Sequence, residues 1–462
     1  MKMSSIKKSE KFLKSIEAEH YANKDKIATG DLKSPVEIVA SDIEIQLDEL
    51  KNMTKEEAKN IKFSDNSVGY GTSLHEAKKR LLEKGIPEKH IIEDQLFGMD
   101  NDPNKVLATR LVIDPDRMYN NNIIVGDSRT MSFETKGITH SWNNEPYLKG
   151  DGGKTPVYNE IIENVDKQNP VQQSESHLLP KAISLSDTLK DIRSKFFIKG
   201  LEHWREWSLD SFVGAKVRTV SYICNVGYDG KIKIWYDGKF LFEFDFRSLG
   251  YIINGGTFGL TQLLVDVRNK NYNPLLVRGP KPGREKANRK NLDDIKDKPF
   301  KNSIPVLKRN RVIGFNYKRD VGYVKAGNND MTDFNKLKLV MGYRPSGEEY
   351  GNHRLGTMNI IPKGVLVQGK DKWMPFDTTT QAKNRRDYLK SEVVENFFLK
   401  RSRTSPTLDA SDPKGFNQLS FIENVDPNIK FKNNDSIIDY FSKKYNLSKK
   451  VRNELAYESS IK

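Results

Sequence analysis

The stretch Asp65-Asn-Ser-Val-Gly69-Tyr-Gly71-Thr-Ser-Leu74 stands between a short apolar run and a segment that places Leu74, Ala77, Leu81 and Leu82 on one helical face. Glycines two apart let the backbone approach a ligand closely, and the first strand-to-helix turn of an α/β sheet is where an adenosine-bearing cofactor commonly sits. Gly-x-Gly after a strand also serves simply as a tight turn. Asp100 ends Leu-Phe-Gly-Met-Asp, a carboxylate suited to accept from ribose hydroxyls, and Asp127 ends Ile-Ile-Val-Gly-Asp one strand further along. Aspartate is equally a cap and turn residue, but three consecutive strand ends that carry acids ask for more than capping. A fourth strand end follows: the moderately apolar run Gly137 to Trp142 leads into Asn144-Glu145-Pro146-Tyr147.

The elements that must position these residues are legible in periodicity and caps. Ser34-Pro35 opens a helix with apolar positions Val36, Ile38, Val39, Ile43 and Leu47, running to Leu50. A strand is expected at Asn60 to Phe63, a helix at Ser73 to Lys84 stopped by Gly85, a strand at Gln95 to Met99, a helix from Asp102-Pro103 to Ile113, and a strand at Asn122 to Val125. That order implies a parallel, doubly wound sheet with ligands at the carboxyl ends of its strands. Beyond it come a helix at Val157 to Val165, a strand and turn around His177 to Pro180, a helix at Ser186 to Lys199, and strands at Ala215 to Asn225 and Lys231 to Phe246. Tyr228-Asp229-Gly230 between those two strands reads as a type I′ hairpin. The Pro-, Gly- and Lys/Arg-rich segment Arg278 to Arg311 reads as a loop or arm; short strands and aromatics follow to Pro427, and two helical patterns close the chain from Ser436 to Glu458. The first 33 residues, with Phe12, Leu13 and Ile16 at helical spacing, read as a short helix and a loose connection without a function of their own.

Composition narrows the partners. With 462 residues, two or three domains are expected. Lysine and arginine total 77 against 62 acids, a surplus of +15 that points first to a polyanion, nucleic acid ahead of a membrane surface. The single cysteine, Cys224, excludes a disulfide framework and a thiolate zinc site, and fits a reducing cytoplasm. Seven scattered histidines (20, 75, 90, 140, 177, 203, 353) show no ligand spacing, so no metal is expected. No signal-peptide-like segment occurs, nor any run of about 18 apolar residues, so neither secretion nor membrane spanning is expected.

In order and spacing the four strand ends resemble the N6-adenine DNA methyltransferases that use S-adenosylmethionine. In that family the first turn reads Asp-Pro-Ala-x-Gly-x-Gly-x-Phe-Leu, a later strand ends in Gly-Ile-Asp, another leads to Gly-Asp/Asn-Ser/Pro, and the catalytic turn is Asn-Pro-Pro-Tyr. Here Asp65, Gly69, Gly71 and Leu74 match the first turn, while Asn66 and Ser67 replace Pro and Ala; Glu145 replaces the first proline of the catalytic turn. The resemblance covers residues 34 to 235 strongly, including Leu178-Leu-Pro-Lys-Ala and the Lys190-Asp-Ile-Arg193 helix, and the C-terminus loosely through Asp435-Ser-Ile-Ile-Asp-Tyr-Phe and Asn446-Leu-Ser.

The resemblance implies a Rossmann-like, doubly wound class I methyltransferase domain at 34–235, after an extension at 1–33. A mixed α+β target recognition domain at 236–462 would follow. It implies that Ser34, Pro35, Asp65, Gly69, Gly71, Asp100 and Asp127 bind S-adenosylmethionine. A target adenine flipped out of duplex DNA would donate from its amine to the Asn144 side-chain oxygen and the Glu145 backbone carbonyl. Pro146 would keep that turn rigid and Tyr147 would stack on the base. Tyr222 is a candidate second stacking residue, although a strand aromatic also serves as core. Arg278, Lys281, Arg284, Lys286, Arg289 and Lys290 would grip phosphates, where the bland alternative is a solvated charged loop. The expected protein is a cytoplasmic monomer that acts on double-stranded DNA, either alone or beside a separate restriction endonuclease. The alternative, motivated by Glu145 and the altered first turn, is a degenerate methyltransferase fold that binds DNA or a partner subunit without transferring methyl groups.

Two other readings fail on spacing. Gly126-Asp127-Ser128 and Gly327-Asn328-Asn329-Asp330 echo SGNH esterases, but Tyr350 stands where Asp should precede His353. Gly152-Gly-Lys-Thr155 echoes a phosphate loop, but Leu148 occupies its first glycine.

Overall fold

A computed structural model describes residues 2–22, 35–131, 133–144, 158–168, 173–185, 189–208, 218–270, 295–308, 314–325, 333–341, 357–367, 372–402 and 418–461. They divide into two compact units, Met1–Ser184 with Leu189–Tyr251, and Leu185–Thr188 with Ile252–Lys462.

The first unit is built on one nine-stranded sheet. Its elements are α1 (Lys2–Ala22), α2 (Val36–Gln46), β1 (Phe63–Asp65), α3 (Thr72–Glu83), β2 (Leu96–Asp100), α4 (Pro103–Ile113), β3 (Asn122–Val125), β4 (His140–Asn143), α5 (Tyr158–Gln168), β5 (Ser174–Pro180), α6 (Lys190–Lys199), β6 (Leu201–Trp207), β7 (Thr219–Asn225), β8 (Ile232–Tyr236) and β9 (Lys239–Phe244). The strand order is β3-β2-β1-β4-β5-β7-β6-β8-β9. β1 to β5 are mutually parallel, as the alternating pattern predicts. β7 runs antiparallel to both β5 and β6, so the sheet is mixed rather than wholly parallel.

The core explains why these segments fold as they do. Ile38, Val39 and Ile43 of α2, Phe63 of β1, and Leu74, Ala77 and Leu81 of α3 are buried in one apolar cluster with Ile123, Trp142 and Leu178. At about 25 cal/mol per Å², such a cluster is the main term holding helices to sheet. Asp102 caps α4 by accepting from Asn104 N (2.9 Å), with Pro103 at the first position as expected. α1 is longer than the short helix expected there, and it is anchored: Ser9 Oγ donates to Val112 O (2.6 Å), and wholly buried Lys78 of α3 reaches Ser5 Oγ (3.1 Å), Ile113 O (2.7 Å) and Glu88 (2.7 Å).

Four expectations need correction. β1 begins at Phe63, where the strand was expected to end, because Asn60 to Lys62 are spent in the turn leaving the short helix at Lys55–Ala58. The hairpin is not at Tyr228-Asp229-Gly230. The left-handed pair is Asp237 (φ +44°) and Gly238 (φ +75°), which join antiparallel β8 and β9. β7 and β8 do not pair, because the unexpected strand β6 lies between them. Finally, part of the expected basic loop, Ser303–Leu307, is a strand; residues 278–294 lie outside the described ones.

The second unit contains α7 (Phe258–Lys270), the antiparallel pair β10 (Ser303–Leu307) and β11 (Val321–Lys325), and a three-stranded antiparallel sheet, β13 (Met358–Ile361)-β12 (Leu337–Met341)-β14 (Lys372–Phe376). α8 (Thr379–Leu389), α9 (Asn434–Lys444) and α10 (Lys449–Ser460) complete it. Leu307, Val321, Val340, Ile361 and Trp373 form its β-core, and buried Glu423 accepts from Lys444 and Tyr445 among the helices. No described helix is long and apolar enough to cross a membrane.

His75, on α3's buried face, is 1% exposed, and neither ring nitrogen finds a partner among the described residues. Burial, with Lys78 and Lys79 adding to it, pushes the imidazole down to about 4. Between that value and an ordinary histidine pKa the unfolded chain binds the extra proton and the fold does not, so stability is full above the ordinary value and falls as pH drops toward 4. The expected loss is about 3 kcal/mol at most. Urea unfolding at several pH values should show His75→Leu with a flatter acid limb than the wild type; identical acid limbs would show that the ring titrates normally.

Candidate active site

The carboxyl ends of β3, β2, β1 and β4 lie side by side, and every described candidate cofactor residue but Pro35 belongs to this edge. The turn after β1 is closed by Val68 N to Met99 O (3.0 Å) and Gly71 N to Val68 O (2.8 Å). Gly69 and Gly71 have φ of +52° and +81°, the left-handed region in which a side chain is strained. Their roles differ. A Cβ on Gly71 would lie 2.9 Å from Thr109 Cγ2 of α4, so this glycine permits close packing at the start of α3. Among the described residues a Cβ on Gly69 would meet nothing nearer than Ser67 O at 3.9 Å, so this glycine leaves its own side of the turn open to them.

The acids hold the turn. Buried Asp65 accepts from Ser67 N (2.9 Å) and from the Ser73 hydroxyl. Asp100 accepts from Gly69 N through Oδ2 and from Asp102 N through Oδ1, both at 3.0 Å. Each carboxylate oxygen can accept more than one donor, so Asp100 fixes the glycine turn and retains capacity for a ligand's hydroxyls. Asp127 is gripped by its neighbour: Arg129 Nε donates to Oδ1 (2.9 Å) and Nη2 to Oδ2 (2.6 Å). These hydrogen bonds hold the Asp127 carboxyl below the usual carboxylate range, against its partial burial.

On the other side of β1, β4 delivers Asn143, wholly buried, and Asn144, half-buried. Asn143 Oδ1 accepts from the backbone N–H of Asn66 (3.0 Å), which ties the end of β4 to the glycine turn. α2 steadies β4 from its flank: Gln46 Nε2 donates to Ser141 O (2.8 Å), and Trp142 Nε1 to Asp42 Oδ2 (3.2 Å). Pro35 stands at the N-cap of α2, and its carbonyl accepts from Ile38 N and Val39 N, each at 3.2 Å. Ser34, Glu145, Pro146 and Tyr147 lie outside the described residues, as do Arg278, Lys281, Arg284, Lys286, Arg289 and Lys290.

Tyr222 is placed differently from its candidate role. It is wholly buried, stacked on Phe196 (centroids 4.8 Å apart) with its edge to Trp204 (4.7 Å), so protein rings occupy the contacts a base would need. It is a core aromatic.

Five parallel strands in the order β3-β2-β1-β4-β5, then an antiparallel β7 inserted before β6, with helices flanking the sheet, decide the architecture. The core is a mixed α/β sheet with flanking helices, consistent with a class I methyltransferase-like fold. No family model matches the chain, and no curated protein matches it. Solved structures do. The type IIL restriction-modification enzyme MmeI, solved in complex with DNA, aligns with TM-score 0.46 and 10% identity over 80% of this chain and 65% of its own. The type IIG restriction endonuclease BpuSI aligns with TM-score 0.44 and 11% identity over 95% and 68%. A modification subunit of a putative type I restriction enzyme from Vibrio vulnificus YJ016 aligns with TM-score 0.38 and 12% identity over 49% and 51%. The chain spans about half the length of that subunit and of two further modification subunits it matches, 46% and 47% of theirs.

Within the methyltransferase-like core, sequence reasoning missed Asn143, Thr109, Ser73 and Gly98. Thr109 Oγ1 donates to Gly69 O (2.9 Å) and so fixes the turn's other face. Gly98 in β2 admits Leu74, Ile123 and Val68, which would lie 2.9–3.1 Å from a Cβ there. A glycine inside a strand was the one available signal.

Proposed function

We propose that this chain binds S-adenosylmethionine at the β1 and β2 strand ends and methylates the N6 amine of an adenine flipped from duplex DNA. The observation that carries the reading is the juxtaposition, at neighbouring strand ends, of an open left-handed glycine turn held by Asp100 with Asn144. The groups fit such a cofactor: Gly69 leaves room for it, Asp100 keeps acceptor capacity for ribose hydroxyls, and Asp65 is already committed to shaping the turn. Bound S-adenosylmethionine would supply an electrophilic methyl group.

The chain's own task is to make a poor nucleophile competent. The N6 lone pair is conjugated with the ring. When the Asn144 side-chain oxygen and the Glu145 carbonyl each accept a hydrogen bond from the amine, tetrahedral geometry is favoured and the lone pair is released for attack. Orientation and fixed dipoles suffice, with no strong base. Pro146 would stiffen the turn and Tyr147 would stack on the base. The second unit would read the target sequence, with the basic residues from Arg278 to Lys290 on phosphates, so affinity should fall steeply with salt.

The test is titration of the purified chain with S-adenosylmethionine, followed by transfer of a labelled methyl group to adenine-containing duplex DNA. Saturable binding and label on N6 are expected. Binding of DNA without the cofactor would instead favour the degenerate, non-catalytic reading that Glu145 motivates.

A further inference from the structure

The pairing of β1 with β4 runs Phe63 with His140 and Ser64 with Ser141, and the ladder ends there. The carboxyl ends of β1 and β4 lie where the strand order changes direction, the place where open α/β sheets bind ligands. Two residues further, where the backbone ladder has ended, a side chain takes over: Asn143 Oδ1 accepts from Asn66 N at 3.0 Å, joining residues 77 apart in sequence. Both residues are nearly or wholly buried, at 0% and 2% exposure. Among the described residues their other amide atoms, Asn143 Nδ2 and Asn66 Oδ1, find no partner, so there the amides stay buried without their full complement of bonds. Leaving a buried polar atom unpaired is costly, a burden an apolar residue at either position would avoid.

The identity of residue 66 sharpens the point. The adenine methyltransferase turn that this one resembles has proline there, and proline has no N–H to give. In this chain the departure to Asn66 supplies the donor, and Asn143 supplies its acceptor immediately before the candidate catalytic Asn144.

We infer that Asn143 is a positioning residue: through Asn66 N–H it sets the distance between the cofactor turn and the catalytic turn, and so the alignment of Asn144 with the reacting methyl. This rests on the methyltransferase reading. A side chain that acts through alignment should affect turnover and leave ground-state binding almost unchanged, because small misplacements at a reacting centre cost rate far more than affinity.

The experiment compares wild type with Asn143→Ala, Asn66→Pro, Asn66→Ala and the double variant Asn143→Ala/Asn66→Pro. It measures S-adenosylmethionine affinity by calorimetry and kcat for methyl transfer to duplex DNA. Asn143→Ala and Asn66→Pro should each lower kcat about tenfold, with cofactor affinity changed less than about threefold. Asn66→Ala keeps the backbone N–H and should lose less kcat than Asn66→Pro. The double variant should be no slower than the slower single variant, because both remove one bond. Multiplying losses, an equal loss in Asn66→Ala, or a weakened affinity at unchanged kcat would overturn the inference while leaving the methyltransferase reading intact. A wild-type chain that binds no cofactor would overturn both.

Discussion

Asn144→Ala should lower the rate of adenine methylation by a factor of about 100 to 1,000, the usual cost of deleting one preorganised hydrogen-bonding group aimed at developing charge. S-adenosylmethionine should still bind with nearly wild-type affinity, because the groups proposed to hold it lie on β1, β2 and the turn between β1 and α3, whereas Asn144 follows β4. Single-turnover transfer of labelled methyl to duplex DNA, run beside calorimetric titration of the cofactor, separates the two effects. If transfer persists in the variant, the catalytic assignment is wrong. If cofactor binding collapses with it, Asn144 is a structural support of the turn. Asn143→Ala, one residue earlier, is expected to cost only about tenfold. The contrast between neighbours distinguishes a group that touches the substrate from one that aims it.

The parts of this site that were legible in sequence are those whose chemistry is local. Gly69 and Gly71 announce themselves because only glycine accepts positive φ cheaply, and Asp102-Pro103 marks a helix start by rules confined to a few residues. Asn143 and Thr109 were not legible, since their roles are single bonds to backbone atoms 77 and 40 positions away. The same difference governs the fold. β6 reads Leu-Glu-His-Trp-Arg-Glu-Trp, a composition that suggests solvent, yet six of its seven residues are buried. Its charges are tolerated because each meets a partner from another element: Glu206 pairs with Lys181 (2.5 Å), Glu202 with Lys233 (2.8 Å) and Arg205 with Asp42. Asp-Gly occurs at both 229–230 and 237–238, and the local signal is the same. Only the placement of β6 between β7 and β8 decides that the second is the hairpin. Tyr222 teaches the converse: the residue type was visible, but whether its ring faces a ligand or Phe196 depends on packing.

Asp42→Ala should be among the most destabilising single changes in the first unit, by about 3–5 kcal/mol. Asp42 and Arg205 are 0% and 1% exposed and form an ion pair joining α2 to β6 across 163 residues of sequence. Burial pushes the Asp42 carboxyl up, while Arg205 and the hydrogen bond from Trp142 pull it back. Arg205 also donates to Ser41 Oγ (2.6 Å) and packs its guanidinium over Trp207 (4.9 Å) and Trp235 (5.5 Å). The two single deletions are not equivalent. An aspartate left alone can take up a proton and become neutral, whereas guanidinium cannot shed its charge in a protein, so Asp42→Ala should cost more than Arg205→Met, which also keeps much of the packing over both tryptophans. The double replacement Asp42→Leu/Arg205→Met should recover most of the loss, because the pair's attraction repays little beyond the cost of taking two charges out of water. Chemical denaturation of wild type, Asp42→Leu, Arg205→Met and the double variant closes the cycle, and a double variant as unstable as Asp42→Leu would show that the pair contributes net stability. Because Trp142 donates to the same carboxylate and stands two residues before Asn144, Asp42→Ala should also loosen the candidate catalytic strand and lower methyl transfer beyond what the unfolded fraction explains. Arg205→Met should do so less, since it leaves the Trp142 hydrogen bond in place.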